Sequence, residues 1–143
     1  MTEANDAIAA ANTELDRVAV RLAALHGELD EIFLLHQECL MLGHLELAEQ
    51  VLAGFAELLA LHAQHEETWF LPLYEVVGVE ARFPLVLYRG QHRKMLGMVR
   101  SFQARTAELS RNRTMKPSEL RRRVLALFDE HARFKHLLEH HDG

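Results

Sequence analysis

The stretch "LHAQHEETWFLPLY", residues 61–74, sets two histidines and two glutamates in front of a Trp-Phe-Leu run. Positions i and i+4 of a helix lie one above the other, so His62 and Glu66 share a face. The residues flanking them there are Leu58, Leu59, Trp69, Phe70 and Leu73. An imidazole and a carboxylate are thereby directed into an apolar interior. Burying such groups without compensation costs several kcal/mol, roughly 2–7 for an uncharged polar group and more for a charge, so a partner or a bound ion is implied.

Outward from this stretch the chain reads as helix. Gly (7) and Pro (3) are scarce among 143 residues, Ala, Leu and Glu abound, and no alternating strand pattern occurs. Ile8, Ala11, Leu15, Val18, Leu22, Leu25, Leu29 and Ile32 repeat at spacings of three and four and lead into His36, Cys39 and Gly43. One helix from residue 6 to 42 would be about 55 Å long at 1.5 Å per residue. That exceeds its partners, so its first half must overhang, pair with a second copy, or bend back at His26-Gly27. Gly43 stops it. A second helix is expected from Leu45 to Leu71, ended by Pro72 and Gly78, and a third from Pro84 to Leu109. After the polar loop "SRNRTMK", Pro117-Ser118 opens a fourth on Leu120, Val124, Leu127, Phe128, His131, Phe134 and Leu138. The expectation is an all-α single domain over 1–143, an antiparallel up-down-up-down four-helix bundle, with residues 1–27 as a helical extension.

Each helix carries one histidine in its apolar stripe: His36, His62, His92 and His131. Imidazole is the commonest metal ligand, and its neutral form can sit in a core with one nitrogen on the metal and the other held by an acceptor. Four such residues with Glu66 point to a metal site. His26, His44 and His65 fall roughly 60–80° off the stripes at 100° per residue and read as surface or rim. Cys39 reads as a small core residue, and a single cysteine excludes an internal disulfide and a four-thiolate site. Tyr88, one turn before His92, can hydrogen-bond a metal ligand or a bound molecule. The "HLLEHHDG" terminus reads as a frayed polar end.

The segments "FAELLALHAQHEETWFLPLY", "IFLLHQECL", "YRGQHRKML" and "LFDEHARF" together resemble the haemerythrin-like, or HHE cation-binding, family of four-helix bundles, over residues 29–138. The resemblance implies a non-haem iron centre of two ions capped by histidines and bridged by two carboxylates, and a protein that carries or senses oxygen, handles nitric oxide or responds to iron. The second bridge departs from the pattern. Lys135 stands four residues after His131, and His136 stands five after it, where the family places Glu or Asp. A bridging oxo or hydroxo group offsets part of the charge, or His136 or Glu139 turns inward as an extra ligand, or a single ion is held by up to four histidines and Glu66; two ions are the expectation and one the alternative. Zinc held by the histidines is the alternative cofactor.

The formal net charge is −5 with histidines neutral, and basic residues are scattered apart from "LRRRV", a solvated helix face, so nucleic acid is not an expected partner. No apolar run reaches the 18–20 residues of a membrane span, and the acidic N-terminus has no basic leader, so a cytoplasmic protein is expected. No acid-base pair marks a hydrolytic site, while redox enzymology on oxygen or nitric oxide stays open. The competing reading is a degenerate or mononuclear bundle acting as an interaction module, a homodimer through the first helix.

Overall fold

The computed structural model describes residues 2–70, 72, 85–112 and 114–141. These residues are helical throughout apart from short turns. The four helices are α1 (Thr2–Met41), α2 (Leu45–His65), α3 (Leu85–Arg111) and α4 (Pro117–His141). A five-residue π-helical turn, Glu66–Phe70, continues α2. α1 packs on α2, α2 on α3, α3 on α4, and α4 back on α1. Among the described residues no helix is long and apolar enough to cross a membrane.

The first connection follows from local chemistry. Gly43 takes φ +77°, a conformation open to glycine at no steric cost. The Gly43 N–H donates to Leu40 O at 3.2 Å and the His44 N–H to Cys39 O at 2.9 Å. This pair of bonds is the Schellman closure, which satisfies carbonyls left over at a helix end. α1 is continuous through His26-Gly27 with no bend back, so at about 1.5 Å per residue its 40 residues extend about 60 Å. Its first half is largely exposed, including Ile8 and Val20, although Ala11 and Val18 are buried.

The core is apolar and centred on four phenylalanines, one from each helix. Phe33 lies 5.1 Å from Phe55 and 5.2 Å from Phe134, and Phe102 lies 5.8 Å from Phe134, ring centroid to ring centroid. These separations fall in the range of favourable aromatic pairs. Leu29, Leu52, Leu59, Met95, Val99, Leu127 and Leu138 extend the layer in both directions and are all buried.

Because Phe33 touches three of the other helices' rings, truncating it leaves a cavity that cannot collapse. Phe33→Ala is expected to lower the unfolding free energy by about 3–5 kcal/mol. The same truncation at exposed Val20 should stay within about 0.5 kcal/mol. Urea midpoints for the two variants check the contrast.

Candidate metal centre

Five residues expected to ligate a metal, His36, His62, Glu66, His92 and His131, are all buried. They do not meet at one point. The structure sorts them into two groups at different levels of the helices.

The first group lies where α2 passes into its π turn. His62 Nε2 is in direct contact with Glu66 Oε1, both side chains being wholly inaccessible. His92, from α3, donates from Nε2 to Glu66 Oε2 at 3.2 Å and from Nδ1 to Glu67 Oε1 at 3.0 Å. In an unbroken α-helix, adjacent residues diverge by 100°. The wider π turn lets neighbouring Glu66 and Glu67 both reach one imidazole, and such turns are frequent at functional sites. His26 stacks on His62, with centroids 5.9 Å apart and an interplanar angle of 29°. It is half-buried.

The second group sits on the phenylalanine layer. His36 and His131 have ring centroids 5.4 Å apart, and His131 packs edge-on against Phe33 at 4.9 Å and Phe102 at 4.6 Å. Ten residues of α3 separate Phe102 from His92, about 15 Å along the axis. Ten residues of α1 likewise separate His36 from His26. His36 and His131 therefore stand about one and a half nanometres from His92 along the helices.

Electrostatics follow the same division. Burial draws the His92 pKa down, but hydrogen bonds and charge from Glu66 and Glu67 outweigh it and hold this imidazole above its usual value. Burial lowers His36, offset in part by its bond to Ala48 O. His131 is lowered to about 3 by burial first, then by His36 and Arg105. Arg105 is itself ion-paired with Glu130.

The donor set suits a metal. Two imidazoles and one carboxylate are the ligands of non-haem Fe(II) centres with open positions, and of some zinc sites. If His92 ligated an ion, its Nδ1–H bond to Glu67 would be the outer contact that fixes the imidazole. As they stand, no three or more His, Cys, Asp or Glu side chains among the described residues are placed so as to hold a metal ion. Glu66 lies against the imidazoles directly, and an ion entering between them would displace the protons they share. His136 is exposed and does not turn inward, and Lys135 is half-buried. The side chains of Tyr88, Trp69 and Phe70, and residues 73–84 with the expected Gly78 and Pro84 signals, lie outside the described residues.

Comparison of the chain with protein-family models, characterised proteins and solved structures gives no match.

In the metal-free protein, His36 and His131 have folded pKa values below the unfolded 6.5. Folding therefore excludes protons, and the stability these two residues support is full above pH 6.5 and falls as pH drops below it, down to about 3 for His131. Each contributes a slope of at most about 1.4 kcal/mol per pH unit. His92 acts in the opposite sense, its contribution being lost as pH rises through its raised pKa. Urea unfolding between pH 4 and pH 7 should show a shallower acid loss in His131→Leu than in the wild-type protein. Parallel profiles would contradict the assignment.

Proposed function

We propose that this chain is a haemerythrin-like, antiparallel four-helix bundle that holds a non-haem iron ion between His62, Glu66 and His92 and binds a diatomic ligand, O2 or NO, there. The observation that carries the reading is the inaccessible Glu66 carboxylate with an imidazole on each oxygen. The bundle topology is supported by the three-residue Leu42–His44 connection, which leaves α2 little course except back along α1.

Bound iron would supply an open coordination position for the small molecule. The chain's own part is electrostatic and geometric. Glu66 provides charge, while Glu67, from outside the ligand set, keeps the His92 proton on Nδ1 and so presents Nε2. Two carboxylates offset one divalent ion. A second ion would need another acid, and Lys135 with exposed His136 supplies none. One ion per chain is therefore the stoichiometry favoured here, with zinc as the competing occupant.

The second reading, an interaction module, draws on α1, whose length and exposed Ile8 and Val20 suit pairing with another copy. The two readings separate on metal dependence. Protein loaded with Fe(II) without air should retain about one ion per chain, lose it in His62→Ala and Glu66→Gln, and melt at lower temperature in a strong chelator. At free metal 100-fold above Kd the stabilisation is about 2.7 kcal/mol. A scaffold would be indifferent to the chelator. Zinc would give a colourless protein, whereas iron exposed to O2 or NO would change the absorption spectrum.

A further inference from the structure

The α1 helix outruns its neighbours at one end, and the surplus is acidic. Phe33 and Phe102 stand at one level, with ring centroids 6.4 Å apart. Counting back from them, α3 begins at Leu85 opposite about residue 16 of α1, so residues 2–15 project beyond it for about 21 Å. This part carries Glu3, Asp6 and Glu14 and no lysine or arginine. Apart from Ala11, every described side chain in it is exposed. The other end of α1 is basic and apolar. Gln37 lies 3.4 Å from His131, which puts Met41 level with about Leu127, so α4 rises past the end of α1 towards Pro117. A groove of about 450 Å³ runs there between the two helices, lined by Leu40, Met41, Leu120, Val124 and Leu125 and edged by Arg121. Met41 is 72 % and Leu125 54 % exposed. Lys116, Arg121 and Arg122 are exposed as well and make no ion pair among the described residues, whereas Arg123 is held by Glu108 and Glu119.

A stripe on α1 joins the two ends. Val20, Gly27, Leu34 and Met41 recur at intervals of seven and are all exposed, the spacing of a seam between paired helices. Gly27 costs a helix interior about 1 kcal/mol relative to alanine, and a Cβ there would meet nothing within 4 Å. Packing inside the chain gives no reason for this glycine; the close approach of a second helix does. We propose that two copies of the chain pair antiparallel along α1, with the acidic residues 2–15 of each seated over the Arg121-edged groove of the other. The register that sets Val20 opposite the partner's Gly27 also sets Leu34 opposite its Thr13 and Met41 opposite its Asp6. Each projecting segment then runs on past the other copy's Met41, along the part of α4 that α1 does not reach, and brings Glu3 and Asp6 to Lys116, Arg121 and Arg122. Every contact is made twice about a twofold axis, so the pair is closed and does not extend into a filament. The inference rests on the α1 pairing of the second reading above, adds the groove and the charges that fix it, and is independent of iron.

The test is sedimentation equilibrium of the 143-residue chain, with and without a chelator. The expected particle has twice the 16.4 kDa mass of one chain in both conditions. Reversing the projecting charges, Glu3→Lys with Asp6→Lys, should raise the dimer dissociation constant at least about tenfold, because like charges then face one another. Arg121→Glu with Arg122→Glu should do the same, and all four changes in one chain should restore the dimer. These positions are exposed, so the fold is not at stake. Gly27→Gln should weaken the dimer while leaving the melting temperature of the dilute monomer equal or higher, since a helix-interior glycine is lost. A monomer at every concentration, or an assembly larger than a dimer, would overturn the proposal. A dimer indifferent to both charge reversals would overturn the seating in the groove and leave the simpler pairing of α1 standing.

Discussion

The structure depends on a carboxylate buried where water cannot reach it. Glu66 is flanked by His62, one turn earlier on the same helical run, and by His92 from α3. An isolated carboxylate at that depth would be heavily penalised or driven to bind a proton. Two imidazoles make the burial tolerable in the metal-free chain, and a cation would make it favourable. The π turn that begins at Glu66 belongs to the same arrangement, because it brings Glu67 onto the far nitrogen of His92. Folding and site formation are thus one event at this end of the helices. Truncating any of the three inner residues strands the others.

A ring layer separates this group from the other histidines. Phe33, Phe55, Phe102 and Phe134 fill the middle of the protein, and His36 and His131 lie against them without a carboxylate. The contrast in charge is chemical as well as spatial. His92 is held above its usual pKa by two acids, whereas His131 is pressed to about 3 by burial and by neighbouring positive groups.

Much of the helical layout was legible because it rests on local signals. The apolar repeat of α1, the Gly43 stop, the polar 110–116 loop and the Pro117 start each correspond to an observed boundary within a few residues. Burial of the five candidate ligands was also legible, since each lies on an apolar stripe. Their level along the axes was not. Periodicity gives the direction of a side chain round its helix, but not how far one helix slides past another. That sliding puts His26, rather than His36, beside His62. Glu67 and Gln37 escaped notice for related reasons. Glu67 reaches His92 only through a turn wider than α, and Gln37 matters only once α4 is in place. Adjacent acids ahead of Pro72 were the one signal in the sequence that could have pointed to Glu67.

The most direct test of the account is anomalous scattering at the iron absorption edge from crystals of protein loaded with Fe(II) in the absence of air. The account predicts a peak bounded by His62, Glu66 and His92, with Glu67 still on the far nitrogen of His92. An iron peak elsewhere, or none while Glu66 keeps both imidazoles to itself, would contradict it.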